Sequence, residues 1–296
     1  DHHPGAGRQV LLRQGSRATI AHTFRTIVGQ HHLFMVVLAV VIEEVFEMAV
    51  YQAEELNGHK YKAHNFNKAM FNVGSLENHG DHLPFGTDCF VSYMLAKEVA
   101  DHFDDILLLP PLFYGMSEHY KDFSFTVSLR YETMTELLKD ILMSLHREGI
   151  HRVFIFNGHD GNSAPIEVAA RSVKVAHPEM KIAVQDAWWV TAGQLLPPGT
   201  FEVWNGLGHA GEGETSICLE LFPHLVEMEY AKGVVPQLPP NADLKWKFSE
   251  LTPFGATGDP SKGTQAKGAA MRRVLVEAVV QFIRYLDSIN WEYQVK

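Results

Sequence analysis

Short apolar runs alternate with longer amphipathic stretches through most of the chain, and the alternation becomes regular from about residue 68. Lys68 to Val73 reads as a strand running into a polar loop. Ile106 to Leu109, stopped by Pro110-Pro111, is a second apolar run; Val153 to Phe156 and Ile182 to Val184 are two more. Helical patterns separate them. Phe90 to Phe103 puts Val91, Met94, Leu95 and Val99 on one face. Thr133 to Glu148 opens with a capping-type Thr133-Met-Thr-Glu136 and stops at Gly149. Ser163 to His177 ends before Pro178, and Ile217 to Leu221 and Lys267 to Ile289 complete the helices. Short apolar strands alternating with long helices predict a three-layer α/β/α fold with a mainly parallel central sheet, covered on both faces.

The pattern also divides the chain. Residues 48–296 read as a single domain, and residues 1–47 as an atypical extension. In the extension Arg8, Arg13, Arg17 and Arg25 face only Asp1 before Glu43. The apolar run Leu33 to Ile42 that follows is too short to span a bilayer as a helix, and Glu43-Glu44 stands where a leader would be cleaved. A strand or helix added to the edge of the domain is expected there, with Met48 able to serve as a start. Residues 231–266, rich in Pro and Gly, form a long excursion suited to a lid or a subunit contact.

Composition narrows the function. A chain of 296 residues, 46% hydrophobic and 20% charged, buries a substantial core. A net charge of −10 leaves no basic surplus for phosphates, so nucleic acid is not the expected partner, and no membrane is. Cys89 and Cys218, far apart among apolar neighbours, read as reduced core thiols of a cytoplasmic protein. The oddity is 17 histidines, of which His79, His82, His119, His159 and His209 fall in polar or Gly-rich stretches.

Three of those stretches sit where a parallel sheet gathers its ligands, after strands or just before helices. The first, Val73 to Asp88, carries Glu77, His79, Asp81, His82 and Asp88. Glu77 and His79, two apart, leave an extended segment on the same side. Gly80, Pro84 and Gly86 forbid a helix through the middle and allow Asp88 to return to the same point. Two carboxylates and an imidazole so placed suit a Zn, Mn or Fe type of ion. The second stretch is Asn157-Gly158-His159-Asp160-Gly161-Asn162, and the third runs from Gly208 through His209, Glu212 and Glu214 to Ser216.

These motifs resemble those of the creatininase family of metal-dependent amidohydrolases, over roughly residues 68–285. The resemblance rests on Gly74-Ser75-Leu76-Glu77-Asn78-His79-Gly80 followed by His82-Leu83-Pro84 and Asp88, on Asn157 to Asn162, on His209 to Ser216, and on Tyr114 to His119. It implies two divalent ions per chain. Glu77, Asp88 and His159 would hold one; His79, the shared Asp88 and a further carboxylate would hold the other. Creatinine-cleaving members have a glutamate two positions after the histidine, where this chain has Gly161. Glu214, in preference to Glu212, is therefore the expected last ligand. Asp160 either orients His159 or faces solvent.

The resemblance further implies hydrolysis of a C–N bond (amide, cyclic amide or formamide) in a small polar substrate, by a metal-activated water. Glu214 would take a proton and His209 would protonate the leaving group, while His119, Asn157 and Trp204 would contact the substrate. Arg130, Lys262 and Lys267 are available should that substrate carry a phosphate. Cleavage of a C–C bond in a cyclic diketone such as an oxidised inositol is an alternative. So are a one-metal hydrolase and a binding or assembly protein that has lost catalysis at Gly161. A homo-oligomer, a hexamer by family resemblance, is expected.

Overall fold

The computed structural model describes residues 50–239, 241 and 244–293. The expectations for residues 1–47 lie outside the described residues. Within the described residues, five strands form one sheet: β1 (Tyr51–Gln52), β2 (Lys68–Val73), β3 (Ile106–Leu108), β4 (Arg152–Asn157) and β5 (Lys181–Gln185). Their order is β1-β3-β2-β4-β5 and every pairing is parallel. The central strands are buried on both faces, as a parallel sheet sandwiched between helices requires.

Side chains leave a strand alternately to its two faces, and the two faces have different cores. Ala69, Phe71, Val73, Val153 and Ile155 join Met134, Leu138 and Leu142 of α3 (Tyr131–Arg147) and Ile166 and Val173 of α4 (Ser163–Ala176). Met70, Phe154 and Phe156 join Val91, Leu95 and Val99 of α2 (Thr87–Ala100) on the other face. That layer also holds Trp188 of α5 (Trp188–Leu195), Ile217 of α6 (Glu212–Leu221) and Leu275 of α7 (Gln265–Ser288). The fold is the three-layer α/β/α arrangement with a parallel central sheet. A short helix, α1 (Gly58–Ala63), capped by the Asn57 side chain, and strand β1 lie ahead of the regular pattern.

Four helix starts differ from the sequence expectation, that of α7 by two residues, at Gln265 instead of Lys267. α3 begins at Tyr131 behind Arg130, with no side-chain cap, so Thr133-Met-Thr-Glu136 lies inside its first turns. The added residues Tyr131 and Glu132 are exposed, while Met134, Leu138 and Leu142 carry the buried face. α2 begins at Thr87 instead of Phe90 and α6 at Glu212 instead of Ile217. Both shifts carry acidic residues from presumed loops onto helix first turns: Asp88 on α2, and Glu212 and Glu214 on α6. The positive end of a helix dipole favours carboxylates there. Among the described residues, no helix is long and apolar enough to cross a membrane.

Candidate metal centre

Strands β2 and β4 are paired through Val73 and Asn157, and the chain beyond each end supplies half of a buried cage. After β2 comes the segment with Glu77 and His79; after β4 comes His159. The Gly158 N–H donates to the Val73 carbonyl at 2.8 Å and locks the two exits together. A Cβ at Gly158 would lie 2.2 Å from the Asp88 carbonyl oxygen, so only glycine lets the His159 loop approach α2 this closely.

Two triads share Asp88. Glu77, Asp88 and His159 form one, and His79, Asp88 and Glu214 the other; within each, the ligand atoms lie within 4.8 Å of one another. His159 Nδ1 is 3.2 Å from Glu77 Oε1 and 3.2 Å from Asp88 Oδ2. Those two oxygens are buried and have no hydrogen-bond partner. On the other side His79 Nε2 is 2.9 Å from Asp88 Oδ1 and 3.9 Å from Glu214 Oε2. His209 closes the space, its Nδ1 3.7 Å from Glu77 Oε1.

Every one of these imidazoles is held through its outward nitrogen by a backbone carbonyl. His79 Nδ1 donates to Glu77 O at 3.2 Å, His159 Nε2 to Met116 O at 2.9 Å, and His209 Nε2 to Asn78 O at 2.7 Å. A carbonyl only accepts, so each outward nitrogen carries a proton, and a ring that gives up its second proton turns the lone pair inward. That is the tautomer a cation needs. Ser75 Oγ donates to Glu77 Oε2 at 2.7 Å, which leaves Oε1 for the cage. Paired carboxylates with orphaned oxygens, facing fixed imidazole lone pairs, are the donor set of a divalent ion of the Zn, Mn or Fe type. The residues fit such ions.

Charge is shared unevenly within the cage. Burial pushes the His79 imidazole down, but Asp88, Glu214 and Glu77 together carry it up to about 9. Burial likewise disfavours charged His159, yet Glu77 and Asp88 raise it well above its ordinary value. Glu77 and Asp88 resist burial through these imidazoles and stay below the usual carboxylate range. Glu214 does not: burial, with Asp88 adding to it, holds its carboxyl at about 7 despite His79 and a 2.6 Å hydrogen bond from the Ala210 N–H. Burial and the neighbouring His79 take His209 down to about 3.

The remaining expected residues divide. Glu212 is saturated: it accepts from the Glu202 and Val203 N–H groups and from Lys267 Nζ at 2.6 Å, so it supports α6 and stays out of the cage. Asn157 is similarly occupied, accepting the His159 N–H at 3.1 Å and donating to Asp186 at 3.0 Å, which makes it a brace of the loop. His119 is close, its ring 5.9 Å from that of His159 and nearly parallel. Trp204 is 39% exposed on a tight turn and is not a ring partner of His209. His209 packs instead on Tyr120 and Phe248, with ring centroids 4.4 and 5.0 Å away. In the metal-free cage His209 is thus held neutral, which runs against the proton-donor role expected from the sequence. Asp160 is exposed, and the Met116 carbonyl orients His159 in its place. Lys262 and Lys267 pair with Glu202 and Glu212, and Arg130 donates to Thr133, so they supply no phosphate cluster at the cage.

Sequence reasoning missed Ser75 as a partner of Glu77, the Met116 carbonyl, Tyr120 and Phe248. Phe248 lies in the 231–266 excursion, whose Thr257 also accepts the His209 N–H at 2.9 Å. Only the position of Tyr120 beside the Tyr114–His119 motif could have signalled it.

A parallel α/β/α sheet with a histidine–carboxylate cage at its carboxyl edge defines a metal-dependent enzyme of the hydrolase type. The family model described as creatininase, creatinine amidohydrolase, matches residues 54–283, and the chain belongs to the creatininase family. It is 31% identical to the creatinine amidohydrolase of Pseudomonas putida over 231 residues, 73% of this chain and 88% of that protein. It is 29% identical to a mycofactocin precursor peptide peptidase of Mycobacterium ulcerans, over 70% of this chain and 79% of the other. A solved creatininase in its Mn form superposes with a TM-score of 0.67 at 27% identity, covering 79% of this chain and 97% of that one.

Proposed function

We propose that this chain is a hydrolase that cleaves a C–N bond, in an amide, cyclic amide or formamide, of a small polar substrate. The observation that carries the reading is Asp88. One of its oxygens faces His159 beside the orphaned Glu77 Oε1, and the other faces His79, which supports a carboxylate shared between two cations. Glu77, Asp88 and His159 would hold one divalent ion, and His79, Asp88 and Glu214 a second. Such ions, when bound, would polarise a substrate carbonyl and lower the pKa of a coordinated water toward about 7.

The chain's own groups supply the rest. Glu214, through a carboxylate oxygen not given to the ion, would take the proton released as water oxygen bonds to the carbonyl carbon, and pass it to the nitrogen as the C–N bond breaks. Neutral His209 accepts a substrate N–H through Nδ1 instead of donating a proton. Tyr120, Phe248 and His119 wall the site and limit water around the reacting carbonyl. With its basic residues paired elsewhere, the site favours an uncharged cyclic or amide group over a phosphorylated one. Assembly as a homo-oligomer, by resemblance a hexamer, belongs to the same reading and is measured by mass in solution.

The test is a hydrolysis screen of cyclic amides, formamides, short peptides and cyclic diketones, using chelated protein and protein reloaded with Zn, Mn or Fe. Turnover of a C–N substrate that disappears on chelation and in Glu77→Gln is expected. Turnover confined to the diketones, or unaffected by chelation, would overturn the reading.

A further inference from the structure

At the opposite, amino-terminal edge of the sheet, just before β4 and β5, a second group of ligand-type side chains converges. His146 stands in the last turn of α3, His177 caps the carboxyl end of α4, and Glu179 follows in the turn to β5. His146 Nε2 lies 2.5 Å from Glu179 Oε1, and His177 Nδ1 lies 3.7 Å from the same oxygen. The two imidazole rings are 4.4 Å apart, and the three ligand atoms all fall within 4.8 Å of one another.

We propose that His146, His177 and Glu179 form a further divalent-metal site, structural in role, for a borderline ion such as Zn2+. A hydrogen bond between His146 and Glu179 accounts for one imidazole but leaves the second aimed at an oxygen already engaged. A cation accepting a lone pair from each ring satisfies both. Bonds near 2.0–2.1 Å in a tetrahedral shell place ligand atoms about 3.3 Å apart, within the spread seen here, and a small rotation of exposed Glu179 evens the set.

The supporting backbone is fixed before any ion arrives. α3 ends in a left-handed Gly149 (φ 81°), with the Ile150 N–H on Leu145 O at 3.0 Å. In the turn, the His177 N–H donates to Val173 O and the Met180 N–H to His177 O. Lys174 Nζ donates to the carbonyls of Pro178 and Met180 and holds that turn against α4. Two helix carboxyl ends meet at the cluster, and the negative end of each dipole attracts a cation. His151, its ring 5.2 Å from that of His146, stands ready as a fourth ligand on a rotated side chain, or water fills that position. An ion there would tie the ends of α3 and α4 to the start of β5.

Zn2+ uptake by the whole chain, stripped and then dialysed against limiting metal, tests the proposal. The double substitution His146→Ala with His177→Ala is expected to remove one equivalent per chain. Asp88→Asn, which empties the catalytic cage, is expected to keep that equivalent. Glu179→Gln, milder for folding, weakens it by more than the roughly 10–100-fold that loss of an outer-shell partner costs. Diffraction at the Zn edge should place an anomalous peak between the three side chains. Equal uptake by the double variant and the parent, or anomalous density at the cage alone in Zn-saturated crystals, overturns it.

Discussion

In the His159 half of the cage, the two carboxylate oxygens that face the imidazole are free of other donors. In the His79 half, Glu214 already accepts from the Ala210 N–H and stands 3.9 Å from His79. The carboxyl groups differ accordingly. Glu77 stays ionised, while burial and Asp88 hold Glu214 at about 7. The first half is built as a permanent anionic pocket. The second has a looser ligand that changes charge near neutral pH, which suits proton transfer and weakens its hold on an ion. On the proposed reading, a single donor set thus separates into a binding half and a working half.

Removing the shared residue is expected to have the largest effect. Asp88→Asn leaves neither half with a complete triad, so both ions are lost and hydrolysis falls by several orders of magnitude. Metal analysis after dialysis, alongside turnover, checks this. An Asp88→Asn protein that still held two ions would mean that Asp88 does not join the halves.

Glu214→Gln separates them. It removes the titrating group and keeps the shape, so kcat should fall by about 10²–10⁴ while the His159 half keeps its ion. Loss of both ions on this change would make Glu214 a holder of the whole cage and erase the contrast.

Acidity sharpens the comparison next. The metal-free cage keeps a proton on His79 up to about pH 9, because the carboxylates outweigh burial. An ion must displace that proton, so binding to the His79 half tightens as pH rises toward 9, by up to about tenfold per unit. Proton release on titration with Zn2+ at pH 7, measured in buffers of different ionisation enthalpy, reads this directly. Binding that is independent of pH between 6 and 9 would contradict it.

Much of this was legible in the residues because strand exits and motif spacing are local. Lys68–Val73 and Arg152–Asn157 carry their own apolar signature, and Glu77 and His159 follow those strands directly. Asp88 and Glu214 were expected in the cage but on loops. Their places on helix first turns were hidden because the turns of α2 and α6 are dense with glycine and acid, which propensity assigns to loops. The carbonyls of Glu77, Met116 and Asn78 were beyond reach for another reason. Every residue has a carbonyl, so nothing in the side-chain pattern marks the one that will fix a tautomer. Phe248 comes from a segment more than thirty residues past the His209 motif, and only tertiary packing brings it back.

Gly161 yields the smallest expected change and a strict test of how the His159 half is built. From sequence it is a missing carboxylate, at a position where the family resemblance implies one. In the structure it is a contact. A Cβ at this position would lie 2.2 Å from Met116 O and 2.5 Å from His159 Nε2, the two atoms of the hydrogen bond that orients the ring. Gly161→Ala is therefore expected to cost about 1–3 kcal/mol through overpacking and to loosen the ion in the His159 half. Gly161→Glu should do the same without supplying a ligand. Thermal unfolding and metal content per chain measure both. A Gly161→Glu variant that gained affinity in the His79 half would mean the loop can open for a larger side chain, and the tight Met116–His159 contact would not be a fixed part of the centre.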